Sequence, residues 1–211
     1  MGAWGFGQKP KLPYDAEVDF IETDGVGSYI DTGIFPVLVS DEYSVVSVEF
    51  AFRSWRPDNT NFICGARHGT SATATSFGIS AYASSANKIY MFKPTISASS
   101  PLNPIDTVRH TVSMRNGFAE IDGEDISVSI DSNTSHNATS GFCLGTSGVP
   151  SMHPSGVAQF GNARFYSCKI VTGGVTVFDA RPVRKDGHGY IYDFISGSLI
   201  GNAGTGELLY G

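Results

Sequence analysis

RHTVSMRNGFAEIDGE, residues 109–124, joins two tight-turn dipeptides to the strands that flank them, and it sets the reading of the whole chain. Val112 and Met114 alternate with Thr111, Ser113 and Arg115, the period-2 pattern of a half-buried strand. Asn116-Gly117 then reverses the chain, because both central residues of a type I′ turn need positive φ, and Phe118 to Asp122 runs back. Asp122-Gly123 predicts a second reversal almost at once. The stretch reads as a meander of short antiparallel strands. It also carries Glu120, Asp122 and Glu124, a closely spaced acidic triplet and so the first place to look for chemistry.

The same alternation continues on both sides. Residues 43–55, YSVVSVEFAFRSW, set Val46, Val48, Phe50 and Phe52 on one face, with Ser47, Glu49, Ala51 and Arg53 on the other. Residues 18–39 give strand, Asp24-Gly25 turn and strand, with Val18, Phe20, Tyr29 and Ile34 expected inward. Residues 61–67, 76–82 and 87–93 read as further strands. Downstream, FGNARFYSCKIV (160–171) offers Phe160, Ala163 or Phe165, and Ile170 to the core, and Gly173-Gly174 turns it into 175–183. Tyr190 to Phe194 is expected to pair with Ser198 to Ile200 across Ser196-Gly197, before a last strand at Leu208–Tyr210. That makes about twelve to fourteen strands, and no stretch sustains a helical apolar period over three turns. A chain of 211 residues suits one β-sandwich over 18–211, preceded by an arm over 1–17 in which Trp4 and Phe6 alternate with glycines and Pro10 and Pro13 oppose helix.

Composition excludes several classes of function. The net charge of −6 argues against nucleic acid as the main partner, since phosphate contacts need a basic face. Cys64, Cys143 and Cys168 stand far apart in apolar runs, an odd number that cannot complete a disulfide framework, and they read as small buried side chains. No apolar run approaches the roughly 20 residues of a membrane span, and the start lacks the basic-then-apolar pattern of a secretory signal. The expectation is a soluble protein made without a signal peptide.

The segments IETDGVGSYIDTG, YSVVSVEFAF, RHTVSMRNGFAEIDGE, FCLGTS and FGNARFYSCKI, over roughly 18–180, resemble the concanavalin-A-like and laminin-G-like jelly roll. The fold this implies is an all-β jelly-roll sandwich with an extended N-terminal arm. The ending, FDARPVRKDGHGYIYDFISGSLIGNAGTGELLYG, is similar to laminin-G-like proteins encoded by phages and prophages of gut bacteria. That resemblance implies a non-enzymatic virion structural or adhesion protein, associated with capsid, neck or tail, multi-copy or homo-oligomeric, made in the bacterial cytoplasm, located in the virion and partnered by other virion proteins. Docking would run through the arm residues Trp4, Phe6, Pro10, Leu12 and Pro13.

The alternative is a lectin-like module for a cell-surface glycan, with Trp55, Arg67, Tyr82, Asn87 and Tyr90 as ring platforms and planar hydrogen-bonding groups on exposed strand ends. A third reading, an endo-glycosidase, rests on the resemblance of Glu120, Asp122 and Glu124 to the Glu-x-Asp-x-Glu run of jelly-roll β-glucanases. A retaining pair needs carboxyls about 5–5.5 Å apart. Positions i and i+4 of a strand lie on the order of 13 Å apart at Cα, and Asp122-Gly123 would break the strand between them. No cofactor is expected; calcium, which the resemblance allows, would find Asp24, Asp31, Asp122 and Asp125.

Overall fold

Dipeptides that accept positive φ set the register of this protein. The computed structural model describes residues 12–35, 43–54, 61–69, 75–82, 88–93, 96–100, 106–115, 118–126, 128–130, 138–152 and 160–211. Its first strands are β1 (Ala16–Glu17), β2 (Ile21–Glu22), β3 (Ile30–Asp31), β4 (Val45–Ser54) and β5 (Asn61–Arg67). Then come β6 (Thr75–Tyr82), β7 (Lys88–Lys93), β8 (Ile96–Ser100), β9 (His110–Arg115), β10 (Phe118–Ile121) and β11 (Glu124–Asp125). The rest are β12 (Val128–Ile130), β13 (Cys143–Leu144), β14 (Asn162–Thr172), β15 (Val175–Lys185), β16 (His188–Asp193), β17 (Ser198–Ile200) and β18 (Leu209–Tyr210). The helical structure among the described residues is a single 3-10 turn, Pro150–Met152.

Three two-residue hairpins have positive φ at both central positions: Asp122 and Gly123 at 54° and 82°, Gly173 and Gly174 at 56° and 77°, Asp186 and Gly187 at 51° and 79°. These are type I′ turns, whose twist matches that of the flanking strands. Arg115 pairs with Phe118, so a two-residue connection also spans Asn116-Gly117, which itself lies outside the described residues.

All strand pairs are antiparallel and fall into two sheets. The large sheet runs β11-β10-β9-β4-β14-β15-β16-β17, with β1 on β15 and β2 between β14 and β18. The small sheet runs β12-β8-β7-β6-β5-β13-β3. The chain crosses between them repeatedly: β2 to β3, β3 to β4, β4 to β5, β8 to β9, β11 to β12 and β13 to β14. This is jelly-roll connectivity, as the sequence predicts. One core joins both sheets, with Val46, Val48, Phe50, Val112, Met114, Phe165, Ile170 and Phe178 from the large sheet meeting Ile63, Cys64 and Ile79 from the small one. Each fully buried Phe contributes about 1.5–3 kcal/mol by leaving water. The three cysteines are free and buried.

Two expectations are corrected. Val18 and Phe20 were expected inward, but Ile21 is the fully buried residue of β2, and Phe20 lies on the outer face against Tyr166 at a ring separation of 6.2 Å. A strand of two residues shows no alternation to read, and a slip of one residue exchanges the faces. The boundary of the arm also moves. Within the expected arm, Tyr14 is buried and the Asp15 N–H donates to the Arg184 carbonyl, while Ala16 and Glu17 pair with Arg184 and Val183. Leu12 and Pro13 are exposed at its root, and Trp4, Phe6 and Pro10 lie outside the described residues.

Candidate functional site

The acidic triplet is divided by its turn. Glu120 sits on β10 opposite Asp125, Asp122 is the first central residue of the type I′ turn, and Glu124 begins β11 opposite Ile121. The three carboxylates therefore do not share one straight strand. Asp122 is already engaged: its Oδ1 accepts the Thr111 N–H at 2.7 Å and its Oδ2 lies 2.7 Å from His110 Nδ1. The other imidazole nitrogen, Nε2, lies 3.2 Å and 3.3 Å from the two oxygens of Asp106. Burial of His110 works against its charge, but the hydrogen bonds it donates to the Asp122 and Asp106 carboxylates outweigh it and hold the imidazole pKa above its ordinary value.

The other aspartates considered for calcium hold turns of their own. Asp24 Oδ1 accepts the N–H groups of Val26, Gly27 and Ser28 at 2.8–2.9 Å, and Asp31 Oδ1 accepts that of Gly33. Burial would raise the Asp24 pKa, yet those three donors bring it below the usual carboxylate range. Asp125 is exposed on β11. Among the described residues, no three His, Cys, Asp or Glu side chains are grouped as metal ligands.

Of the residues expected to bind glycan, Arg67, Tyr82 and Tyr90 lie on described strands. Trp55 and Asn87 lie outside the described residues. Tyr82 and Tyr90 are placed by backbone register, opposite Lys88 and Ser80. Arg67 pairs with Thr75 near the other end of β6, and it is buried, not at an exposed strand end. Its Nε donates to the Gly69 carbonyl at 3.2 Å and its Nη1 to Ser147 Oγ at 3.3 Å. Its own carbonyl accepts from the N–H groups of Thr139 and Ser140. Arg67 thus braces the segment 139–148, and burial lowers its pKa.

On the outer face of the large sheet, aromatic rings are already covered. The Arg109 guanidinium lies 4.0 Å over Tyr166 and that of Arg164 lies 3.9 Å over Phe20. Arg109 pairs with Glu49 at 2.6 Å and with Asp19 at 3.5 Å. Arg164 and Arg53 share Glu22 at 2.7 Å and 3.2 Å. These contacts tie β2, β14, β4 and the start of β9 together and cover the rings of Phe20 and Tyr166.

Two features near β16 were not anticipated. The first is an aromatic run at the root of the arm: Tyr14 packs on Tyr192 and Tyr192 on Phe194, each at a ring separation of 5.0 Å. Phe194 and its neighbour Ile195 are 49% and 53% exposed. The second is a cleft of about 330 Å³ lined by His188, Tyr190, Asn202 and Glu207 over a floor that includes Gly189, Gly201 and Leu208. His188 Nδ1 stands 3.8 Å from Glu207 Oε1, with both side chains about two-thirds exposed. Apart from that approach, the side chains of His188, Glu207 and Tyr190 have no partner among the described residues.

The wall of the cleft is fixed in advance. Asn202 Oδ1 accepts the N–H groups of Tyr29 and Gly204, and its Nδ2 donates to the carbonyls of Gly204 and Gly206. A Cβ at Gly201 would stand 2.9 Å from the Tyr190 ring, so only glycine lets the ring lie against that backbone. Alternation along HGYIYD does place His188, Tyr190 and Tyr192 on one outward face, but nothing in the sequence ties Glu207 to them.

No family model and no curated protein matches this chain. Among solved structures it is similar to a sialidase of Trypanosoma rangeli, 13% identical with a TM-score of 0.40 over 60% of this chain and 20% of that one. The chain thus spans about a fifth of the sialidase. It is also similar to a heptameric SAP-like pentraxin of Limulus polyphemus, 12% identical with a TM-score of 0.44 over 76% of this chain and 79% of that one. Among the described residues, no helix is long and apolar enough to cross a membrane.

Proposed function

We propose that this protein is a non-enzymatic structural or adhesion component of a bacteriophage virion, fixed to another virion protein through its N-terminal arm while the sandwich stands as a rigid body. The observation that carries the reading is the aromatic run Tyr14–Tyr192–Phe194 with exposed Ile195, set where the arm leaves the fold. Exposed apolar groups at the base of a Trp- and Phe-bearing arm provide the aromatic anchors that dominate stable interfaces. The likeness of the C-terminal segment to phage-encoded laminin-G-like proteins points the same way, and the engagement of Asp122 by His110 and Thr111 leaves the acidic triplet to a structural task.

The test is immunogold labelling, with an antibody to the sandwich, of particles purified from a culture that makes the protein. Label on the particles is expected, and a variant lacking residues 1–11 should keep its melting temperature yet be absent from them. Particles without the wild-type protein would end the reading.

A lectin-like module is the second reading, and the C-terminal cleft favours it. Tyr190 offers a ring, while Glu207 and His188 offer an acceptor and a donor held only by their own 3.8 Å approach. Amide-shift titration with maltotriose, cellotriose and chitotriose tests it: saturable shifts should centre on residues 188–190 and 201–208 and be lost in Glu207→Gln. Silence with all three sugars would remove it.

A further inference from the structure

We propose that Asp106, His110 and Asp122 form a pH-sensitive latch, which holds the 106–108 segment against the β10–β11 turn while the imidazole carries two protons and releases it when the imidazole carries one. The reasoning starts from donor count. Both ring nitrogens face carboxylate oxygens, Nδ1 toward Asp122 at 2.7 Å and Nε2 toward Asp106 at 3.2 Å and 3.3 Å. A carboxylate only accepts, so both contacts are hydrogen bonds only if both nitrogens carry a proton. Neutral imidazole has one N–H and one lone pair. Loss of a proton must therefore turn one contact into a lone pair aimed at an anion.

Geometry decides which contact fails. Asp122 is held from several sides: its backbone N–H donates to the Thr111 carbonyl at 2.8 Å, its Oδ1 accepts from the Thr111 N–H, and its φ of 54° belongs to the type I′ turn. The Nδ1 bond to it is also the shorter. Asp106 sits on an exposed connection, where its Oδ1 also accepts the Val108 N–H at 2.9 Å. Between them, Thr107 has φ of 57°, a left-handed conformation that a β-branched residue keeps only while its surroundings hold it. Deprotonation thus keeps the Asp122 bond, breaks the Asp106 contact, and lets Thr107 relax. The segment lies just before β9, where the chain arrives from β8 of the small sheet, so the latch ties that crossing to the far edge of the large sheet.

The charged groups near the ring are few. Asp106 and Asp122 act on it directly, and both favour the cation. Arg109, next in sequence, is occupied by Glu49 and Asp19. From β4, the residue opposite His110 is the apolar Phe50. On β10 and β11, Glu120, Glu124 and Asp125 add negative charge of the same sign as the two partners. The net upward shift of the His110 pKa agrees with this arrangement. The latch is closed below that value and opens as pH rises through it.

The experiment is a histidine-selected ¹H–¹⁵N NMR titration of the whole chain, followed together with the backbone amides of 106–108 and the Val108 methyls. His110 is expected to titrate above about 6.5, the ordinary histidine value, with the 106–108 signals moving at the same midpoint. In Asp106→Asn the amide can accept from the imidazolium or donate to the neutral ring, so the 106–108 signals should stay closed across the range. Titration of His110 at or below the ordinary value, 106–108 signals that ignore its midpoint, or an unchanged pH response in Asp106→Asn would each overturn the latch. The outcome is independent of the arm and of the cleft.

Discussion

His110 and His188 stand toward opposite edges of the large sheet, on β9 and β16, and each faces a carboxylate. At the first, imidazole and acids meet at 2.7–3.3 Å, with the histidine side chain 10% exposed. At the second, the gap is 3.8 Å and both partners lie in solvent. The adjoining turns are alike, since Asp122-Gly123 and Asp186-Gly187 are both type I′. What differs is whether a second carboxylate and a backbone N–H complete the arrangement. The same residue types thus serve as an internal fastening in one place and as loosely engaged, solvent-facing groups in the other.

The largest test of this contrast is deletion of the acid. Asp122→Ala removes the acceptor of both His110 and Thr111 and should lower unfolding free energy by about 2 kcal/mol in urea titration, a value already discounted for the partial exposure of Asp122. Glu207→Ala should stay within about 0.5 kcal/mol of wild type. Equal costs would erase the distinction. Next in size are Gly123→Ala and Gly187→Ala, each forcing positive φ on a side chain in open space. Both should cost about 1–2 kcal/mol in the same assay. Matching losses would show that the turns are equivalent and that the contrast lies in the side chains.

The pH dependence is subtler. A raised folded-state pKa means that His110 contributes most below its unfolded value and that the contribution fades as pH rises through the folded one. The stability gap between wild type and His110→Gln should therefore narrow as pH rises from about 6.5, the unfolded value, through the raised folded one. At neutral pH His188→Gln should stay within about 0.5 kcal/mol of wild type. On the acid side the sign reverses. Burial opposes the charge of Asp193, but the N–H groups of Asp179, Ile195 and Ser196 bring its pKa down. Its contribution is present at neutral pH and lost as pH falls through that lowered value, so Asp193→Asn should flatten the acid limb of the curve.

The long strands were legible because each carries its own evidence. Val46, Val48 and Phe50 alternate over enough residues to show a face, and Gly173-Gly174 and Asp122-Gly123 announce reversals that only a few backbone shapes satisfy. Phe20 misled because an arginine and a tyrosine cover it on the outer face, so that its hydrophobicity says nothing about direction. Arg67 misled for the opposite reason: every residue of β5 is buried, and the charged one is accommodated by the 139–148 segment. The cleft was hidden because its wall depends on Asn202 bonding across to Tyr29, a contact spanning 173 residues with no local signature. His110 stands at the start of β9, where its two carboxylate partners, distant in sequence by four and twelve residues, give it a structural task.

β2 lies between β14 and β18, and the Gly211 carbonyl accepts the N–H groups of Asp19 and Phe20. During synthesis, the beginning of the sandwich must therefore wait for residues made nearly two hundred positions later before its hydrogen bonding is complete. A nascent chain halted before Leu209 would present Ile21 and Glu22 as an open strand edge, a form prone to pairing with other chains. Synthesis of residues Leu209 to Gly211 is thus also the step that closes this edge.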